Sequence, residues 1–314
     1  MSYQSTHPPD GWALGIDVGG TEVKCGAFSR QGELLAQTAV PTRDGEGADG
    51  VPAFVLRARE ALGLLAARLG GAPSVIGVAA PGLAARDGSC VEFMPGRLQG
   101  LEKLEWRGAL DFSQPVPVLN DAHAALLGEA WRGAAQGLRD VAMLTLGTGV
   151  GGAMICEGRL MRGHLGRAGH FGHLTVDHHG PPTVAGTPGG LDWAIGNASL
   201  AERSQGRFSM TRDLAAAAQA GDAFAEKVWL ESVHALAAHV AGLICAVDPE
   251  AIIIGGGIAE LDDFLFQPLR AYLDGMEWRP RGHRVAVRKA ALGAWAGACG
   301  AAFHALEQAG SARE

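Results

Sequence analysis

Apolar positions along the chain fall into short runs and into longer stretches with a helical period. Trp12–Ile16 is a short apolar run ending at Asp17, and a second run covers Val23–Phe28 after the turn Gly19-Gly20. This pattern predicts a β-hairpin, after which Gln31-Gly32 turns the chain again. Apolar residues recur at helical spacing from Val51 to Leu69, with arginines on the other face and Gly70-Gly71 as a stop, so an amphipathic helix is expected there. Val75–Ala80 and Val116–Leu119 read as buried strands. The first is broken by Pro81-Gly82, and the second runs into Asn120-Asp121 and a helix to about Trp131.

The second half opens as the first did. Val141–Leu146 meets Gly147-Thr148-Gly149 and returns through Gly151-Gly152 to Cys156, and Glu157-Gly158 then turns the chain. Two strand, Gly/Thr turn, strand units suggest an internal duplication. Residues 163–190 are rich in His, Gly and Pro without periodicity and read as a long functional loop. Helix is expected from Arg212 to Val247, a strand over Ala251–Ile254 closed by Gly255-Gly256-Gly257, a helix over Leu261–Tyr272, and a last helix from Gly293 to about Gln308.

Composition narrows the function. The 314 residues are 47% apolar and 19% charged, enough for two packed domains. A net charge of −7 supplies no basic field for nucleic acid. Met1–Asp10 shows no secretory pattern, and the apolar stretch near Leu243–Ile258 is interrupted by Asp248, Pro249 and Glu250, so a cytoplasmic protein without a membrane span is expected. Five scattered cysteines without a CxxC pair fit a reduced compartment.

Several elements carry candidate chemistry beside a plainer reading. In Gly15-Ile-Asp-Val-Gly-Gly-Thr21 the turn at Gly19 and Gly20 leaves backbone N–H groups open to phosphate oxygens. Thr21 could add a hydroxyl, and Asp17 could hold Mg²⁺ through water; an ordinary Gly-rich hairpin gives the same string. Gly147, Thr148, Gly149 and Gly151 offer a second cradle, and Gly255, Gly256 and Gly257 a third at a helix start, or a simple strand-to-helix turn. Asn120-Asp121 is either a helix cap or, for Asp121, the base that takes a proton from an attacking hydroxyl.

Taken in order, these elements resemble the ROK family of sugar kinases, within the hexokinase, actin and Hsp70-like superfamily. The resemblance spans almost the whole chain: the Gly15–Thr21 phosphate motif, Leu119-Asn-Asp-Ala-His-Ala-Ala, Leu146-Gly-Thr-Gly-Val-Gly-Gly, Gly169-His-Phe-Gly-His, and Asp248-Pro-Glu-Ala-Ile-Ile-Ile-Gly-Gly-Gly. It implies an α/β, two-domain actin-like (ribonuclease H-like) ATPase fold, with a helix-flanked mixed sheet in each domain. The expected domains are residues 1–119, completed by a C-terminal helix at about 298–314, and residues 120–297. It further implies a glucokinase-like homodimer that binds ATP and Mg²⁺ between its two halves and phosphorylates a hexose or amino sugar at O6. By position, Asp121 is the general base, and Asn120, His173, Asp192 and the Pro81-Gly82 turn lie on the sugar side.

The sequence departs from that pattern at several points. His170 stands where the family commonly has Glu, replacing an acceptor with an imidazole that also donates and titrates near a pKa of about 6.5. The structural zinc cysteines are replaced by Thr183, Ala185 and Gly190, so no zinc is expected, and His164, His170, His173, His178 and His179 read as loop histidines. Glu22 takes a position that is often basic, for which Lys24 compensates, and Arg97 lies where a sugar-contacting Asn is expected. The competing readings are a sensor that binds sugar or nucleotide without chemistry, a repressor, for which the segment before the first strand is too short, and a dinucleotide oxidoreductase, which would need a helix directly after Gly20.

Overall fold

The computed structural model describes residues 11–311 except Glu46, so the reading of Met1–Asp10 lies outside the described residues. Two compact units are present. The first runs to Gln136, takes in Arg162–Ala168 and resumes at Ala294; the second comprises Gly137–Met161 and Gly169–Gly293.

The first unit opens with an antiparallel meander, β1 (Ala13–Val18), β2 (Glu22–Phe28) and β3 (Leu34–Pro41), followed by α1 (Ala53–Leu69). β4 (Val75–Ala80) returns parallel to β1. A small ribbon, β5 (Leu83–Ala84) and β6 (Val91–Phe93), and the short α2 (Trp106–Ala109) lead to β7 (Val118–Asn120) and α3 (Asp121–Arg132). The sheet order is β3-β2-β1-β4-β7. Side chains alternate across this sheet: Leu14, Ile16 and Val18 join Phe54, Val55 and Ala58 of α1 in one buried cluster.

In the second unit β8 (Val141–Leu146), β9 (Val150–Cys156) and β10 (Arg159–Leu160) form another meander. An irregular stretch containing the 3₁₀ turn Phe171–His173 leads to α4 (Leu191–Ile195), α5 (Asn197–Arg203), α6 (Thr211–Gln219) and α7 (Ala223–Val247). β11 (Ala251–Gly255), α8 (Asp263–Met276) and β12 (Ala286–Lys289) complete an order of β10-β9-β8-β11-β12. Both sheets therefore pair three antiparallel strands with two parallel ones in the same order, as the expected duplication requires.

The helix expected over 212–247 is two helices. Gly221 at φ +93° breaks it, and the Asp222 carboxylate caps α7 by accepting from the N–H groups of Phe224 and Ala225, both at 3.0 Å. α7 is long and apolar enough to cross a membrane, yet Trp229, Val233, Leu236 and Val240 on it are buried in the core of its unit, which is how a central helix reads. Trp229 stacks on Phe264 of α8 at 5.3 Å.

The last helix, α9 (Ala296–Ser311), belongs to the first unit. Its small residues let it lie almost on the backbone of its neighbours. A Cβ at Gly15 would sit 1.7 Å from the Ala298 carbonyl oxygen, and one at Gly300 1.7 Å from that of Ala124 on α3. Because α9 and α3 pack as a pair, the division between units falls after Gln136 and not after Leu119 as expected, and Asn120 and Asp121 belong to the first unit.

Candidate active site

In the first unit the turn between β1 and β2 is braced from the end of β3. Gly19 N–H donates to the Glu22 carbonyl at 2.9 Å, the Thr42 hydroxyl to the Gly19 carbonyl at 2.6 Å, and Thr42 N–H to the Thr21 carbonyl at 2.9 Å. Gly20 has nothing within 4 Å of the place a Cβ would occupy. No packing in the protein requires glycine there, whereas close approach of a ligand to the backbone would. β2, not a helix, follows this turn, which removes the dinucleotide reading.

Asp17 lies directly before that turn, opposite Lys24 in the hairpin register. The residue is half-buried, and its carboxyl is packed against the start of α9, where a Cβ on Gly297 would come within 2.8 Å of Asp17 Cγ. Burial, then the charge of Asp121, push the Asp17 carboxyl up to about 7, and Lys24 opposes them. Lys24 is also 3.8 Å from Glu22. A buried carboxyl raised in this way by a second carboxylate suits a divalent cation with oxygen ligands.

Asn120 caps α3, its Oδ1 accepting from the N–H groups of Ala122 at 3.0 Å and His123 at 3.2 Å. Its Nδ2 donates to the Gly82 carbonyl at 3.0 Å, which ties the Pro81-Gly82 turn to the helix start. Gly82 is required here, with φ +97° and a hypothetical Cβ 2.5 Å from the Phe93 carbonyl. Asp121 occupies the exposed first turn of α3, and its Oδ1 accepts from Ala122 N–H at 2.8 Å. Capping thus falls to Asn120, and Asp121 beside it presents an exposed carboxylate held by the backbone N–H of Ala122. Two residues on, His123 Nε2 meets the Ala168 carbonyl at 2.8 Å.

In the second unit Gly147 N–H donates to the Gly149 carbonyl at 2.9 Å, and Gly147, like Gly20, has nothing within 4 Å of a hypothetical Cβ. Thr148 is exposed at the tip, and Gly151 follows in β9. The turn is held from behind. Asn197 and Ala198 N–H donate to the carbonyls of Gly147 and Thr148 at 3.0 and 2.9 Å, and Val150 N–H donates to Asp192 Oδ1. Asp192 Oδ2 is 3.8 Å from His173 Nδ1, a buried nitrogen without a hydrogen-bond partner. The His173 ring lies 6.4 Å from that of His170, nearly parallel to it. Asp192, expected on the sugar side, is therefore shared between the turn and His173.

The third glycine element differs from expectation. Gly256 is needed for packing, at φ +84° with a hypothetical Cβ 2.3 Å from the Leu146 carbonyl. Gly257, which faces open space, begins a 3₁₀ turn and not an α-helix, and α8 starts only at Asp263. Lys289 Nζ clamps this turn through Glu260 at 2.8 Å and Asp262 at 2.7 Å. Gly255 is buried at the end of β11.

In the loop where Thr183, Ala185 and Gly190 stand in place of the family's zinc cysteines, Thr183 N–H donates to the Thr187 carbonyl and Gly189 N–H to that of Pro181, both at 2.8 Å, so backbone bonds close this loop. No group of three His, Cys, Asp or Glu side chains able to hold a metal occurs among the described residues. Sequence reasoning missed Thr42, Gly297 and the 197–203 helix, none of which lies in a recognisable motif.

A model of the ROK family matches residues 13–308. A glucokinase of Halalkalibacterium halodurans is 30% identical, over 96% of this chain and 97% of that protein. An N-acetylmannosamine kinase of Shigella boydii is 28% identical, over 80% of this chain and 85% of that protein. A ROK family glucokinase from Streptomyces griseus, solved in complex with glucose and AMPPNP, superposes with a TM-score of 0.77 at 30% identity, covering 95% of this chain and all of that one (100%).

Proposed function

The chain belongs to the ROK family, and from that premise we propose that it transfers the γ-phosphoryl group of ATP to O6 of a hexose or amino sugar in the cytoplasm, with Asp121 as the general base. A carbohydrate kinase on the actin-like ATPase fold needs a phosphate cradle, a cation site and a base. The observation that carries the proposal is the exposed carboxylate of Asp121, tethered through Oδ1 to Ala122 N–H, in the same unit as the raised carboxyl of Asp17.

In this reading the Asp121 carboxylate accepts the O6 proton while O6 bonds to the γ-phosphorus, and the bond from that phosphorus to the bridging oxygen of ADP breaks. Asp17 would hold Mg²⁺, with Lys24 nearby, and the cation would supply charge neutralisation at the phosphate oxygens when bound. Within the first unit Gly19, Gly20 and Thr21 are the candidate phosphate contacts; within the second, Gly147, Thr148, Gly149 and Gly151 are candidate phosphate contacts and Gly255–Gly257 candidate adenosine contacts. Asn120, Gly82, His170 and His173 orient the sugar. His170 donates as readily to an acetamido carbonyl as to a hydroxyl, so glucose and N-acetylmannosamine are both plausible by chemistry.

The test is ADP release from MgATP with glucose, mannose, fructose, N-acetylglucosamine and N-acetylmannosamine, the product located by ³¹P NMR. Release that requires one of these sugars, with phosphorus on O6, supports the proposal. Phosphorus on another hydroxyl refutes the O6 assignment, and release indifferent to all five refutes the kinase mechanism.

A further inference from the structure

The guanidinium of Arg203, at the end of α5, is mostly enclosed within the second unit and takes no part in the mechanism above. Its three hydrogen bonds go to uncharged oxygens. Nη2 donates to the Gly196 carbonyl at 3.1 Å, Nε to the Ser199 hydroxyl at 3.1 Å, and Nη1 to the Ser232 hydroxyl on α7 at 2.7 Å. Burial pulls its pKa down to about 10, against the weaker pull of the Glu231 charge. A charge withdrawn from water without a contacting carboxylate is unfavourable for stability. Such a group is retained more readily where it performs a task.

Its contacts suggest the task. Gly196 is the residue before α5 and lies under the phosphate turn; a Cβ there would be 2.9 Å from the Thr148 carbonyl and 3.4 Å from Gly149 Cα. The next two residues, Asn197 and Ala198, are the ones whose N–H groups hold the carbonyls of Gly147 and Thr148. Asn197 is held in turn, its Oδ1 accepting from the Thr211 N–H at 2.8 Å and hydroxyl at 2.7 Å. The Ser199 hydroxyl donates to the Trp193 carbonyl at 2.6 Å, which brings α4, the helix bearing Asp192, into the same assembly. Arg203 therefore joins α4, α5 and α7 at one point behind the turn.

We propose that Arg203 is a positioning residue for the nucleotide's terminal phosphates: by clamping the Gly196 carbonyl it sets the N–H groups that hold the Gly147–Gly149 turn. This rests on the reading of that turn as a phosphate cradle. Arg203 touches no reacting atom, and its effect falls on the nucleotide side. A planar guanidinium reaches three acceptors that a Lys ammonium on a flexible stem does not satisfy in the same geometry.

The test is titration calorimetry of the full chain with MgAMPPNP, alongside steady-state kinetics, for Arg203→Met, Arg203→Lys, Ser232→Ala and Thr148→Ala. Met keeps the volume and removes the buried charge. Arg203→Met should weaken MgAMPPNP binding and raise the KM for MgATP about tenfold, with the KM for the accepted sugar within about twofold. Arg203→Lys and Ser232→Ala should give losses of about threefold, and Ser232→Ala keeps the test alive if Arg203→Met does not fold. Thr148→Ala reports on the cradle itself. If Thr148→Ala weakens MgAMPPNP binding and none of the Arg203 and Ser232 variants does, the role of Arg203 is overturned. If none of the four does, the cradle reading falls and the proposal with it. Equal losses for nucleotide and sugar would mark Arg203 as a general structural brace and also overturn it.

Discussion

The two Gly turns occupy the same place in two sheets of the same strand order, yet their side chains and their supports differ. Asp17 is the penultimate residue of β1, two before Gly19, and Thr145 the penultimate residue of β8, two before Gly147. Asp17 lines up with Ala79 of the parallel neighbour, and Thr145 with Gly255 of its own. The first slot thus holds a carboxylate pushed up to about 7 by burial and by Asp121, and the second a neutral hydroxyl. Support differs as well. The first turn rests on Thr42 at the end of the adjacent strand, whereas the second is held by helices inserted beyond its hairpin, through Asn197, Ala198 and Asp192. One backbone device recurs with different side chains, and on the proposed reading cation handling falls to the first turn alone while both turns contact phosphate.

Exchanging chemistry at the paired slots should break the symmetry most sharply. Asp17→Asn should lower kcat/KM by about two to three orders of magnitude, because on the proposed reading it removes the carboxylate that would hold the cation. Thr145→Val should stay within about threefold of the parent. Comparable losses at both positions would contradict the division of labour.

Glycines give the next contrast. Gly256→Ala places a Cβ against the Leu146 backbone at positive φ and should cost about 2–4 kcal/mol in denaturant unfolding. Gly20→Ala meets open space, so stability should change by less than about 0.5 kcal/mol while the KM for MgATP rises severalfold. An unchanged KM in a well-folded Gly20→Ala would remove Gly20 from the phosphate cradle.

The smallest expected effect concerns acid. Buried His239 packs edge-on to Phe171, and burial pulls its pKa down to about 4. Its pKa is lower folded than unfolded, so its contribution is intact above about pH 6.5 and is lost as pH falls toward about 4, where the unfolded chain takes a proton the folded one refuses. At most about 3 kcal/mol is involved. His239→Leu should flatten stability over that window; an unchanged slope would assign the acid sensitivity to another group, such as His304 in the first unit, whose pKa burial also lowers to about 4.

Hairpins, Gly turns and the duplicated order were legible because apolar runs closed by Gly-Gly or Gly-Thr allow few alternatives. β3 and β12 were not, since edge strands such as Leu34–Pro41 mix exposed and buried positions without clean alternation. The boundary at Leu119 was misplaced because the close packing of α3 on α9 depends on contacts between residues far apart in sequence, through Gly128 and Gly300. Asn120 and Asp121 were both legible as residues, but their division into cap and candidate base required the hydrogen bonds. Arg203 could not have been found from the sequence, because an arginine near a helix end is ordinarily a solvated surface residue.

The most direct test of the account compares Asp121→Asn with the parent under saturating MgATP, measuring kcat for the accepted sugar and, separately, binding of that sugar by calorimetry. Loss of the base should lower kcat by about 10²–10⁴ while sugar affinity stays within a few-fold. A kcat near that of the parent, or affinity lost in the same proportion as turnover, would contradict Asp121 as the base.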